Sequence, residues 1–262
     1  MPPSLLFSLG GGDVKEQQSR RWAIGRVATY FLKNFFNPTR ERHSVSVMYR
    51  ALKSEAATIS RLNLSEIFPG IDQVEVRVKY TQSSGGGTLS DMITLTQVVA
   101  FLGCRCMFEF GTFRGFTTFH LALNSPPEAR VYTLDLPASQ ASEAKLELTD
   151  LNLIQKPLSG EWFKNTECES KITQLYGDSA DFNFSEYAEV VDFVFIDGAH
   201  SYEYVLSDSL SARRLLRPAG IIMWHDYPTY PGVWACLEEL SKKWSGKFTW
   251  IEGTALVVWQ PS

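Results

Sequence analysis

The sequence has no run of about 18 consecutive apolar residues, the minimum for a membrane-crossing helix, so no membrane span is expected. It also has no basic excess. A net charge of −4 and a pI near 5.7 exclude the strongly cationic balance of a dedicated nucleic-acid binder. Cysteine is scarce, and Cys104, Cys106, Cys168 and Cys236 form no C-x-x-C pair. They read as reduced, mostly structural thiols of a cytoplasmic protein rather than as a zinc site. Residues 1–17 carry a short apolar patch with no basic stretch before it, which argues against a secretory leader. There is no internal repeat and no extended low-complexity tract. What is present is an ordinary globular composition, 44% hydrophobic and 21% charged, enough for a substantial core in 262 residues. That length suits one α/β domain with an extension, or two small domains.

The N-terminal stretch differs from the rest. Between Lys15 and Lys53, basic residues such as Arg20, Arg21, Arg26 and Lys33 outnumber Glu16 and Glu41. Trp22, Ala23, Val27, Tyr30, Phe31 and Phe35 recur at helical spacing, giving an amphipathic helix that stops near Pro38. Its apolar face would pack on the main domain; a surface for an acidic partner, a lipid headgroup or a second copy of the chain is the alternative. Residues 72–80 alternate apolar and polar side chains and read as a half-exposed strand, before a break at Ser83-Ser84-Gly85-Gly86-Gly87. The expected division is therefore an N-terminal helical extension with one strand over 1–82 and a catalytic domain over 83–262. Ser90 and Asp91 can cap a helix over 91–102.

Beyond that point the pattern is regular. Strand-like runs at 105–110, 131–135, 172–176, 191–196 and 221–224 alternate with turns and helical segments, and the last residues read as an antiparallel hairpin. This predicts an α/β fold: a Rossmann-like, doubly wound, mostly parallel sheet with an antiparallel C-terminal edge hairpin. In such sheets ligands bind at the carboxyl ends of the strands, near the switch point. The segment Glu109-Phe110-Gly111-Thr112-Phe113-Arg114-Gly115 falls at such an end, where Gly111 permits a sharp turn and close ligand approach and Gly115 permits close helix packing. Alone, it says strand, turn and helix. Asp135, with Leu136 beside it, ends the next strand about 20 residues on, where a carboxylate can accept from both ribose hydroxyls. Asp178 and Ser179 end a third strand, where an adenine edge could sit. Together the three ends indicate a nucleoside-bearing cofactor. A dinucleotide enzyme shows a middle glycine that admits the pyrophosphate; Thr112 and Phe113 stand there instead, favouring a cofactor without phosphate, S-adenosylmethionine, over NAD.

These residues carry a resemblance. The runs from Glu109 to Gly115, Thr133 to Pro137, Gly177 to Ser179 and Phe195 to Glu203 together resemble class I S-adenosylmethionine-dependent methyltransferases. They are most similar to the bacterial branch related to macrolide-sugar O-methyltransferases, the family-24-like enzymes. The resemblance covers roughly residues 88–258 and leaves the first 80 residues without a counterpart. It implies that Glu109, Gly111 and Thr112 line the amino-acid part of the cofactor, Asp135 the ribose, and Asp178 with Ser179 the adenine.

Two further strand ends hold the densest polar clusters, Asp197-Gly198-Ala199-His200 and His225-Asp226. A doubly wound sheet makes these ends neighbours. An acceptor hydroxyl must lose its proton, either to a base such as histidine or to a metal that lowers its pKa. Two carboxylates and an imidazole, from Asp197, His225 and Asp226, could hold Mg²⁺ or Mn²⁺. The resemblance implies His200 as base within an acid-x-x-His run beginning at Asp197. It also implies a metal pair at 225–226, although His225 departs from the acid found there in metal-dependent relatives. The plainer alternatives are Asp197 as a cap for the helix near Tyr202 and His225 as a core residue on Trp224. Tyr202 and Tyr204 read as helix packing, and the pocket would be completed by loops 83–90, 137–170 (with Trp162 and Phe163) and 227–233. The expected function is O-methylation of a small hydroxylated metabolite, a sugar, a phenol or a polyketide-type alcohol. The rivals are an NAD(P)-dependent oxidoreductase and a non-catalytic partner-binding module. A homo-oligomer through the N-terminal helix is a further expectation.

Overall fold

The computed structural model divides into two compact units, residues 1–55 and 56–262. It describes residues 56–79, 87–149 and 159–262, all in the second unit. The basic N-terminal helix, any oligomer contact through it and the break at 83–86 lie outside the described residues. No helix among these is long and apolar enough to cross a membrane.

Eight strands form one sheet in the order β1-β7-β8-β6-β5-β2-β3-β4. They are β1 (Ser60–Leu62), β2 (Cys106–Phe110), β3 (Arg130–Asp135), β4 (Ile172–Tyr176), β5 (Val191–Ile196), β6 (Leu216–Trp224), β7 (Lys247–Ile251) and β8 (Val257–Gln260). Strands β2 to β6 pair in parallel, and β8 runs antiparallel between β6 and β7. The C-terminal hairpin is thus formed, with β1 added outside it in parallel to β7. Starting at β2, the chain winds outward through β3 and β4, then crosses to β5 on the other side of β2. The switch point therefore lies between β2 and β5.

Alternation along the central strands makes two cores. Met107, Phe193, Phe195 and Met223 point to one face, against Leu95, Val98 and Val99 of α2 (Leu89–Leu102) and Phe119 and Leu121 of α3 (Phe116–Leu123). Phe108, Phe110, Val194, Ile196 and Trp224 point to the other face, against Val205 and Leu215 of α4 (Tyr202–Leu215) and Val233 and Leu237 of α5 (Pro231–Lys243). A short helix, α1 (Leu64–Ile67), follows β1. All six residues of β5 are buried, as a strand covered on both faces requires. The four cysteines are free thiols, three buried and Cys106 half-buried.

Two sequence expectations are corrected. The expected strand over 72–80 is not formed: Ile71–Gln73 is a 3-10 turn and residues 74–79 pair with no strand among the described residues; the NH of Arg77 donates to Asn124 Oδ1 at 2.7 Å, and the NH of Lys79 to His120 Nε2 at 3.0 Å. Alternation reports that one face is buried, not what satisfies the backbone, and here the side chains closing α3 take that role. The cap of α2 is Thr88 rather than Ser90. Its hydroxyl accepts from the NH of Asp91, and the Asp91 carboxylate accepts the Thr88 NH at 2.8 Å, a capping box.

Candidate active site

The strand register sets the site. Phe110 pairs with Leu134 and Ile196, and Ile196 with Trp224, so the next residues, Gly111, Asp135, Asp197 and His225, stand side by side at the carboxyl edge. The NH of Asp197 donates to Phe110 O at 2.9 Å, that of His225 to Ile196 O at 3.1 Å, and that of Gly177 to Asp135 O at 3.0 Å. These bonds carry the ladder one residue past each strand and fix where every following side chain begins. Above this edge lies a cavity of about 320 Å³. Gly111, Asp135, Leu136, Asp178 and Ser179 line one part of it, and Asp197, His200, His225 and Asp226 another. The loops left open by the sequence each contribute a described residue to its wall: Gly87, Leu148 and Tyr230.

Gly111 has φ +92°, and a Cβ there would lie 2.3 Å from the Asp197 carbonyl oxygen, so the β2 and β5 loops approach too closely for any side chain. Gly115 is crowded from elsewhere: a Cβ would meet the Phe163 ring at 2.7 Å. The segment 159–163 folds under the loop, with the Gly160 NH donating to Phe113 O and the Trp162 NH to Arg114 O. Phe163 and Trp162 therefore support the glycine loop, Trp162 edge-on to Phe116 at 5.0 Å, and are not among the residues lining the cavity. Arg114 pairs with Glu161.

Glu109, Thr112 and Gly115 lie behind the cavity wall rather than on it. The Glu109 carboxylate accepts from the hydroxyls of Thr118 and Thr133, and Thr133 Oγ1 lies 2.7 Å from Thr112 Oγ1. This buried chain ties β2, β3, α3 and the glycine loop together. Burial pushes the Glu109 carboxyl up to about 8, an effect the two threonine hydroxyls only partly oppose. Folding therefore retains a proton that the unfolded chain, titrating near 4.5, has lost; this contribution to stability is present below about pH 4.5 and falls as pH rises to about 8. Glu109→Gln, which keeps the acceptor and has no proton to lose, should raise Tm relative to the parent protein more at pH 8 than at pH 5. An equal shift at both pH values would show that Glu109 is ionised in the fold.

At the other end of the cavity, His200 Nε2 lies 2.7 Å from Asp226 Oδ2, and the imidazole stacks on Tyr230 with ring centroids 4.0 Å apart. A Cβ on Gly232, in the first turn of α5, would come within 2.3 Å of His200 O, so this helix end presses directly on the His200 loop. Ser201 caps α4, its hydroxyl accepting from the Tyr204 NH; Asp197 is therefore not the cap and turns into the cavity instead. Asp226 adopts φ +66°, a left-handed conformation that costs a non-glycine residue about 1–2 kcal/mol and that a short polar side chain tolerates best.

Asp197, His225 and Asp226 converge, with ligand atoms within 4.8 Å of one another. His225 Nδ1 is 3.2 Å from Asp197 Oδ1 and 3.4 Å from Asp226 Oδ1, while Nε2 is 3.5 Å from Asp91 Oδ2. Burial would depress the imidazole, but Asp197 and the other two carboxylates raise it well above 6.5. Against the same opposing burial, His225, the Ala255 NH and Thr88 bring Asp91 down to about 2, and His200 with His225 hold Asp226 well below the carboxylate range. The cluster is a seat for positive charge. His225 is thus a polar hub, not a core residue on Trp224.

Asp91, Tyr204 and Asp208 were not legible as site residues. In the sequence Asp91 reads only as part of a helix cap with Ser90, with no hint of its reach to His225. Tyr204 lines the cavity and donates its hydroxyl to Asp178 Oδ1 at 2.9 Å. Asp208, 1% exposed, lines the same wall; burial pushes it up to about 7, with Ser179 opposing.

Residues 108–227 match the family described as a methyltransferase domain, family 24. No curated protein sequence gives a significant match. Among solved structures, the chain is similar to the O-methyltransferase TomG from Streptomyces achromogenes, involved in tomaymycin synthesis and solved in complex with SAM. The two share 14% identity over 83% of this chain and 99% of that one, with TM-score 0.48. It is also similar to an O-methyltransferase from Bacillus cereus in complex with SAH, with 16% identity over 82% of this chain and 99% of that one and TM-score 0.47. The segment matched to the methyltransferase domain runs from within β2 through β6 and takes in the glycine loop and both polar clusters.

Proposed function

We propose that the chain is an O-methyltransferase that methylates a hydroxyl of a small metabolite, a sugar, phenol or polyketide-type alcohol, with His200 as general base. The observation that carries this reading is the His200–Asp226 contact of 2.7 Å on the cavity wall, beside the end of β5 that abuts Gly111. The cavity volume falls in the range of small-molecule sites. Gly111, Asp135, Leu136, Asp178 and Ser179 would hold the cofactor, Asp135 at the ribose and Asp178 with Ser179 toward the adenine. When bound, S-adenosylmethionine supplies an electrophilic sulfonium methyl. The residues of this chain must then deprotonate and orient the acceptor. His200 takes the hydroxyl proton, Asp226 offsets the charge that forms on the imidazole, and the Tyr230 ring holds its plane.

Divalent-metal assistance is the second part of the proposal. The separations of 3.2 and 3.4 Å about His225 Nδ1 are close to the roughly 3 Å between neighbouring ligands of a small octahedral cation. Asp91 Oδ2, 3.5 Å from the other ring nitrogen, would serve as the outer carboxylate that orients a ligating imidazole. The donors therefore fit Mn²⁺ or Mg²⁺ in place of the His225 proton, and the nitrogen ligand suits Mn²⁺ better. Such an ion, when bound, would lower the pKa of an acceptor hydroxyl.

The test is transfer of a labelled methyl group from S-adenosylmethionine to a panel of sugars, phenols and polyketide alcohols. Metal-stripped protein is assayed with chelator, and then with Mn²⁺ or Mg²⁺ restored. A labelled methyl ether, lost with chelator and regained with Mn²⁺, is the expected result. Undiminished turnover in chelator would remove the metal, and label appearing on nitrogen or carbon would remove the O-methyl assignment.

A further inference from the structure

The buried acid on α4 has no part in the chemistry above, yet it reaches the cavity. Asp208 lies on the α4 face that also carries the buried Val205, Ala212 and Leu215, and it is itself 1% exposed. Ser179 hydrogen-bonds its carboxyl, while Oδ1 meets no hydrogen-bond partner among the described residues. An unmet carboxylate oxygen at such depth costs about 1–3 kcal/mol or more, and folded proteins seldom retain one without a use for it. Its surroundings say what use: it lines the cavity together with Ser179, Tyr204 and Gly198.

The other acid at that end is already engaged. Asp178 Oδ1 accepts from the Tyr204 hydroxyl and the Ala180 NH, both at 2.9 Å, and Oδ2 accepts from the Lys145 NH at 2.7 Å. Asp178 thus tethers three pieces of chain around the pocket. Asp208 Oδ1, by contrast, meets no hydrogen-bond partner among the described residues.

We propose that Asp208 reads the adenine of the cofactor, its Oδ1 accepting a hydrogen bond from the exocyclic 6-amino group. This rests on the cofactor reading above and deepens it: the site selects a 6-aminopurine nucleoside and rejects a 6-oxopurine, which would set one acceptor against another. Such rejection is strong wherever a buried group is left facing the wrong partner. Asp178, toward the same base, also holds Tyr204 and the backbone of residues 145 and 180 in place around it.

The experiment is calorimetric titration of the full chain with S-adenosylhomocysteine and with its 6-oxo analogue, S-inosylhomocysteine. It is run at pH 8, above the value near 7 to which burial brings Asp208, so that the carboxyl is ionised. The parent protein should prefer the amino ligand at least about tenfold. In Asp208→Asn, whose amide can turn its NH₂ toward a 6-oxo group, the preference should collapse or reverse. Equal affinity for both ligands in the parent protein would overturn the proposal without any variant. An undiminished preference in Asp208→Asn would overturn the role of Asp208 alone. Binding of neither ligand by the parent protein would sink the cofactor reading, and this proposal with it.

Discussion

Replacing His200 by alanine should lower kcat for methyl transfer by about 10²- to 10⁴-fold, the usual contribution of a positioned general base. S-adenosylhomocysteine affinity should stay within a few-fold of the parent value. The separation of effects follows from position. His200 contacts Asp226 and Tyr230 at the end of the cavity near β6, whereas Gly111, Asp135, Asp178 and Ser179 are arrayed over β2, β3 and β4. The truncation leaves Asp226 beside His225, 3.4 Å from Nδ1, so its charge is not stranded. Single-turnover kinetics with saturating acceptor, paired with a cofactor titration, measures both quantities. Near-normal turnover in His200→Ala would assign the proton to another group, while an equal loss of turnover and cofactor affinity would indicate collapse of the site.

Gly111→Ala should be the most damaging change of a single methyl group. A left-handed φ of +92° strains any side chain by about 1–2 kcal/mol. The new Cβ would also lie 2.3 Å from the Asp197 carbonyl and 2.8 Å from Gly198 Cα, and backbone cannot rotate away as a side chain can. Overpacking of this kind costs about a further 1–3 kcal/mol. The β2 and β5 loops must separate, opening the switch point where cofactor and acceptor would meet. Tm should fall by roughly 5–15 °C, using about 2–4 °C per kcal/mol for a domain of this size. Cofactor affinity should fall at least about tenfold even well below the lowered Tm. Gly87→Ala is an instructive contrast: its Cβ would meet the His225 ring at 2.6 Å, yet Gly87 has no left-handed φ, so the damage should centre on the Asp197, His225 and Asp226 cluster. Thermal unfolding and titration of Gly111→Ala check the prediction, and unchanged values would mean that the two loops are not locked together.

The legible parts of this protein are those written in local pattern. Strands β2 to β6 appear as apolar runs ended by turn residues, and because parallel strands share a register, naming the residue after each run also names the neighbours across the cavity. Gly111, Asp135, Asp197 and His225 were readable for that reason. What was not readable depends on contacts between distant segments. Thr118 and Thr133 turn Glu109 from a cavity residue into an internal strut, and nothing at Glu109 itself signals it. Asn124 and His120 satisfy the backbone of Arg77 and Lys79, so a convincing alternating segment never joins the sheet. Strand β1 is only three residues long, too short for period-two alternation to register, although it adds to the sheet beyond β7. Asp208 sits on a helix with a polar, weakly amphipathic sequence, where one more acid reads as solvated until the fold shows it buried.

The most direct test is calorimetric titration of the unaltered chain with S-adenosylhomocysteine, with NADH as the comparison ligand. Thr112 and Phe113 in place of a dinucleotide glycine, with Asp135 alongside, predict saturable binding of S-adenosylhomocysteine at one site per chain and no binding of NADH. Saturable binding of NADH with no heat from S-adenosylhomocysteine would contradict the account at its centre.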